Sequence, residues 1–258
     1  MDGSIIVWNY LLNTTIAITK AKDLHKTDSY KTAAAVTSLK FARIVPLHLL
    51  ATYTSGEISI FKEAEEGFKE FYNVMGHKAG ISTDTFGTLG RYAEIWSSAW
   101  DYDGIGRLAT VSEDQTCRVW QLATEPFSIL EVFKVKEHKL AVTCVDWKNT
   151  KLGKILATCS DDRTIKLYNS DKNFEKVTEF STCHLSDWHT LTYLELEDNG
   201  SRLACGTQHG YLGIWDLITK ENIFLKKVQN GGIEGLKWRG NIIATCSSDC
   251  AILLTKIT

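Results

Sequence analysis

Apolar and polar positions alternate in short runs along most of the chain, and the runs come in groups. In Ile155–Tyr168 (ILATCSDDRTIKLY) a run of β-formers meets a polar break, and a second alternating run follows. A period of two predicts strands, and the polar break predicts a tight turn between them. The arrangement recurs in Arg107–Trp120 (RLATVSEDQTCRVW), Arg202–Trp215 (RLACGTQHGYLGIW) and Ile242–Leu254 (IIATCSSDCAILL). These four copies start at 107, 155, 202 and 242, spacings of 48, 47 and 40 residues. A weaker copy runs from Leu49 to Phe61, and the chain opens on a partial one, Asp2 to Trp8 (DGSIIVW). Upstream of the weaker copy and of each of the four full ones another strand is predicted: Val36–Phe41, Ile95–Trp100, Val142–Trp147, Leu191–Leu196 and Ile233–Trp238. Downstream lies a fourth, such as Ser128–Val135 or Phe174–Phe180. Four antiparallel strands per repeat make a propeller blade, and radial stacking buries the faces that a lone blade leaves bare.

Composition agrees with many short strands and turns: 44% hydrophobic residues, eighteen glycines, only two prolines and twenty-seven aromatics (Trp 8, Tyr 9, Phe 10) among 258 residues. A net charge of -2 gives no sign of a general nucleic-acid surface. The seven cysteines are an odd number. Cys144, Cys159, Cys205 and Cys246 sit in apolar runs and are expected to be buried. No zinc-type spacing appears, and Cys246 and Cys250 have no matching pair elsewhere. The chain is read as reduced and intracellular. With no signal-peptide pattern and no apolar run near 18 residues, it is expected to be soluble.

The repeats resemble the WD40 family along essentially the whole chain, and Ser-x-Asp-x-Thr-x-x-x-Trp stands intact at Ser112, Asp114, Thr116 and Trp120. The resemblance implies an all-β propeller in which each blade links an aspartate, a histidine, a Ser/Thr and a tryptophan by hydrogen bonds. Here these are Asp114, Thr110 and Trp120, with His77 the fourth candidate. In the next blade they are His138, Thr158 and Asp162, with Tyr168 in the tryptophan position. Asp2, Trp8, Trp215 and Asp249 take the corresponding structural places elsewhere. A tight turn leaves backbone N–H groups that an aspartate accepts, and a buried indole N–H needs an acceptor. Other blades depart from the pattern: His209 and Ser55 replace the aspartate, and Thr255 and Phe61 replace the tryptophan, so the network there is expected to be incomplete.

A single domain, 1–258, is expected, with blade portions 1–20, 33–75, 93–136, 140–181, 187–229 and 231–257. Two opening strands, four full blades and three closing strands make about twenty-one strands. Most WD40 proteins have about seven blades and close by pairing an N-terminal outer strand with the last blade. The chain is therefore read as a shorter form of a seven-bladed propeller. The alternative is an open propeller of five to six blades, completed by a partner's strand. Two connections are long, Lys20 to Ala35 and His77 to Ala93, and the family places such connections on the top face where partners dock.

No catalytic or phosphate-binding motif is present, no metal or cofactor is implied, and the chain is not expected to be an enzyme. His184 and His189 flank Trp188 and Asp187, a cluster better read as a loop than as a ligand site. In WD40 proteins the residue before each turn aspartate faces the top; here these are Glu113, Asp161, Gln208 and Ser248. Arg91, Tyr92, Trp96 and Trp188 are interface-type residues near strand starts, though Trp96 and Trp188 also fit packing between blades. The expected function is a protein-interaction scaffold in a larger complex, cytoplasmic or nuclear. The alternative is a receptor for a short peptide or cargo motif in the top-face opening. Leu156–Tyr168 is similar to the WD40 proteins of cytosolic iron–sulfur assembly and of nucleoporin and COPII coats, but it lies close to the family consensus.

Overall fold

The computed structural model describes the chain except residues 1–3, 10–13, 21–34, 43–47, 66, 78–92, 102–105, 125–126, 183–189 and 258. The described residues form twenty-one strands in six antiparallel sheets and one short 3-10 turn, Ser170–Lys172. The first sheet pairs β1 (Ser4–Asn9) with β2 (Thr14–Lys20). Four blades follow. They are β3 (Val36–Phe41), β4 (His48–Tyr53), β5 (Glu57–Ala64) and β6 (Gly67–Met75); β7 (Ile95–Trp100), β8 (Arg107–Ser112), β9 (Cys117–Thr124) and β10 (Phe127–Val135); β11 (Val142–Thr150), β12 (Gly153–Ser160), β13 (Thr164–Asn169) and β14 (Glu175–Ser181); and β15 (Leu191–Leu196), β16 (Arg202–Thr207), β17 (Tyr211–Asp216) and β18 (Asn222–Lys227). The last sheet has three strands, β19 (Ile233–Arg239), β20 (Ile242–Ser247) and β21 (Ile252–Lys256). Within each sheet every strand pairs with its neighbour in sequence, so tight turns suffice. The first strand of each blade lies innermost, and β3, β7, β11, β15 and β19 pack in that order.

Each blade interface is a separate apolar layer. Ile155, Ala157, Cys159, Ile165 and Leu167 of one blade bury against Leu191, Leu194, Leu196, Leu203 and Trp215 of the next. Ala109, Val111, Cys117 and Val119 meet Val145, Trp147, Leu156 and Tyr168 in the same way. Ile5 and Val7 of β1 cover Leu49, Ala51, Tyr53 and Phe61. Alternation therefore feeds two interfaces per blade, with neighbouring residues of a strand facing opposite neighbours.

Polar clamps cross the same interfaces. Arg107 pairs with Asp101 of its own blade at 2.6 Å and lies over the Trp147 ring of the next, 5.2 Å from its centroid. Arg202 repeats the arrangement with Glu197 and Trp238. Trp100 Nε1 donates to Lys40 O, tying β7 to β3.

Among the described residues the last sheet has no such cover on one side. Cys246, expected to be buried, is exposed, as is Cys250; Cys144, Cys159 and Cys205 are buried. Cys246 holds the place of Cys159, but no further described blade lies against it. The same comparison runs down the face. Ile155, Ile165 and Leu167 are fully buried, whereas their counterparts Ile242, Ile252 and Leu254 are 42%, 78% and 66% exposed. Across the space that Ile252 lines, Leu39 of β3 is also exposed. An isoleucine-to-alanine change should separate the two environments. Ile165→Ala is expected to cost about 2–5 kcal/mol, and Ile252→Ala under about 0.5 kcal/mol, measured by urea unfolding.

Candidate functional site: an axial cavity with an open side

The inner strands surround a cavity of about 400 Å³. Each inner strand carries a register shift at its second residue, between Val36/Ser38, Ile95/Ser97, Val142/Cys144, Leu191/Tyr193 and Ile233/Gly235. A bulge leaves one residue unpaired and re-aims it. Thr37, Trp96, Thr143, Thr192 and Glu234 occupy these positions. Trp96, Tyr193, Lys40, Glu234 and Lys237 line the cavity together with Cys246 and Ile252 of the uncovered face. The cavity is thus continuous with the gap beside the last blade. Trp96 does not vanish between blades; it is 45% exposed.

The turns between second and third strands lie on one rim, next to the starts of the inner strands. The N–H groups of Glu113, Asp161, Gln208 and Ser248 donate to Glu94 O, Ala141 O, Thr190 O and Gly232 O, at 3.0, 3.0, 3.1 and 3.0 Å. Glu113, Gln208 and Ser248 are exposed, and Asp161 is half-buried with its carboxyl pushed up by burial and by Asp162. The following turn residues Gln115, Arg163 and Cys250 have φ of 69°, 65° and 64°; glycine holds this place at Gly56 and Gly210. At Gly210 a Cβ would meet Gln229 O at 2.1 Å, so only glycine fits there.

These turns are held by the residues the repeat singled out. His77 is the fourth member of its network: Nδ1 lies 3.0 Å from Asp114 Oδ2, Nε2 lies 2.8 Å from Thr110 Oγ1, and Trp120 Nε1 donates to Thr110 Oγ1 at 2.9 Å. Burial pushes His77 down, so the ring is neutral at pH 7. It donates from Nδ1 to the carboxylate and accepts the Thr110 hydroxyl proton at Nε2. Burial alone would raise the Asp114 carboxyl, but hydrogen bonds from His77 and Thr116 hold it far below the usual range. In the next blade His138 bonds Asp162 at 3.1 Å and Thr158 at 2.9 Å. Tyr168 does not complete this network: its buried hydroxyl has no partner among the described residues. A phenol carries its polar atom farther from the backbone than an indole N–H, and the Tyr168 ring lies edge-on to Phe133, 6.3 Å between centroids.

Asp249 caps its turn by accepting the N–H groups of Asn230, Gly231 and Ala251. Gln229 was missed by the motif; it stands four residues before the inner strand, the spacing of His138, and donates to Ala251 O at 2.9 Å. Its Oε1 and the Thr245 hydroxyl are buried without partners among the described residues. That spacing is the signal in the sequence that marks Gln229 as a histidine substitute. Thr207 takes over part of the aspartate's work in its blade, accepting from the N–H of Tyr211 at 3.1 Å. Ser55 donates to Glu57 at 2.9 Å.

Asp2, Arg91, Tyr92, Trp188, His184 and His189 lie outside the described residues, as do most of the two long connections. Trp8 pairs with Thr15 through its backbone in β1, and its side chain is outside the description. Among the described residues no group of His, Cys, Asp and Glu could hold a metal, and no helix is long and apolar enough to cross a membrane.

Four-stranded sheets stacked about an axial cavity define a β-propeller. The family model "WD domain, G-beta repeat" matches residues 84–121 and 130–169, so WD40 repeats are present in two of these blades. The chain is similar to protein transport protein sec13 of Aspergillus fumigatus, 26% identical over 151 residues, covering 54% of this chain and 47% of that protein. It is also similar to nucleoporin SEH1 of Saccharomyces cerevisiae, 27% identical over 129 residues, covering 47% of this chain and 37% of that protein. The chain spans about half the length of the curated relatives it matches. A chain of the solved mitotic checkpoint complex shares the fold with a TM-score of 0.75 and 16% identity, covering 99% of this chain and 69% of that one.

Acid should weaken the fold in a defined order. The depressed His77 value means that the unfolded chain takes up the proton first, so stability present above about pH 6.5 is lost as pH falls below it. The depressed Asp114 value has the same sign and acts below about pH 4. Urea midpoints should drop between pH 7 and 5. His77→Gln should flatten that part of the profile while costing about 1–3 kcal/mol. A profile unchanged in the variant would locate the titration elsewhere.

Proposed function

We propose that this protein is a non-catalytic scaffold that joins a multiprotein assembly by accepting a partner's β-strands beside its last blade. One observation carries the reading: an apolar face, Ile242, Ile252 and Leu254, is exposed at positions buried in the interior blades. The face opens into the axial cavity, which the exposed Leu39 lines on its other side. Free sheet edges and bare faces are the features that strand addition uses, with main-chain bonds giving affinity and side-chain pockets giving specificity. Relatives named as a protein transport protein and a nucleoporin support a place in an assembly of that kind, in cytoplasm or nucleus.

A second reading is a receptor for a short motif at the cavity mouth. It is favoured by Trp96 and Tyr193, two partly exposed aromatics that line the cavity.

One pair of variants separates the readings. Affinity purification from the native organism, with partners quantified against the unaltered protein, should lose the main partners in Ile252→Asp/Leu254→Asp and keep them in Trp96→Ala. Both sites are solvent-facing, so melting temperatures should stay within a few degrees. Loss with Trp96→Ala alone would favour the receptor reading. A dimer in sedimentation velocity, abolished by the double change, would make a second copy the occupant.

A further inference from the structure

The chemistry at the inner strands changes where the described blades end. Across every junction between neighbouring blades, a hydroxyl from the second or third residue of an inner strand bonds to the next blade. Ser38 Oγ meets Ser98 Oγ at 2.9 Å, and Ser97 Oγ accepts the Val145 N–H at 3.5 Å. Thr143 Oγ1 donates to Leu191 O and Thr192 Oγ1 to Ile233 O, both at 2.6 Å. In β19 the same two positions hold Glu234 and Gly235. Glu234 is exposed, lines the cavity and has no hydrogen-bond or ion-pair partner among the described residues. A carboxylate only accepts. A strand beside β19 therefore meets a charged acceptor where earlier strands meet a hydroxyl.

Three residues further along, a second level of charge spans β11, β15 and β19. Lys148 reaches Asp146 at 3.4 Å and Glu195 at 2.6 Å, and Glu195 pairs with Lys237 at 3.2 Å. Glu195, buried on β15, thus has a cation on each side. At the gap this level is flanked by Lys237, whose side chain is 72% exposed, and by Lys40 across the cavity. An acidic residue seated there would repeat the position of Glu195.

Resting on the docking reading above, we propose that the partner strand beside β19 carries a basic residue at its second position, against Glu234, and an acidic residue at its fifth, between Lys237 and Lys40. The occupant is a β-strand segment of another protein with charges in the order basic, two residues, acidic. Filling the gap removes water from both pairs, so matched charges are held and like charges are rejected. In a parallel, in-register contact, β19 of a second copy would set Glu234 against Glu234 and Lys237 against Lys237, which the pattern disfavours.

The test appends a second copy of residues 140–182, the β11–β14 blade, to the full chain through a flexible linker, which keeps the effective concentration high. In the matched version the appended copy carries Thr143→Arg and keeps Asp146. In the reversed version it carries Thr143→Glu and Asp146→Lys. The readout is alkylation of Cys246 by iodoacetamide, followed by peptide mass spectrometry, because this thiol lies on the face to be covered. The matched copy should slow alkylation about tenfold more than the reversed one, with the difference shrinking in 1 M salt. Glu234→Lys in the parent chain should narrow or invert the preference. Equal protection by both versions would overturn the charge pattern while leaving the docking face standing. No protection by either, relative to the unextended chain, would overturn the docking face itself and the pattern with it.

Discussion

A sheet with apolar side chains on both faces is stable in water only between two neighbours. That constraint governs this protein. Each interior blade divides its alternating residues between two interfaces, and each interface is a closed layer built from adjacent repeats. Cover on both sides is what turns Ile155, Ile165 and Leu167 into core residues; without it, the same positions one end along become surface. The exposed face is a consequence of the stacking rule applied where the described blades stop.

The polar networks answer a different need. Each tight turn at the rim leaves N–H groups that must find acceptors, and the turn lies too close to the interface for water to serve all of them. Asp114, Asp162 and Asp249 supply the acceptors, and His77 and His138 carry the bond inward to a buried threonine. The rim is rigid for this reason, and its exposed residues are presented on a fixed frame. In the last blade the chain of bonds stops at Gln229, leaving Thr245 unserved.

Much of the architecture was readable beforehand. Period-two alternation placed the inner strands at Val36–Phe41, Ile95–Trp100 and Leu191–Leu196, where they stand. The repeat spacing placed four blades of four strands between a two-stranded opening and a three-stranded close. The Asp–Thr–Trp set around Asp114 was legible because its residue types sit at fixed offsets within one turn. His77 was harder, because a long connection separates it from the strand it serves. Tyr168 was misread as a network member: a motif position specifies where a side chain starts but not how far its polar atom reaches. Cys246 was misread for a broader reason, since its local sequence matches that of the buried Cys159.

By itself the sequence determined the strands, the tight turns and the capping roles of Asp114, Asp162 and Asp249, because each depends on neighbours within about forty residues. The tertiary structure alone decided which equivalent positions are buried, which inner-strand residues meet across the axis, and where the cavity opens sideways. Those properties belong to pairs of blades. Ile165 and Ile252 have the same local pattern, and only the presence or absence of a neighbouring sheet makes one core and the other surface.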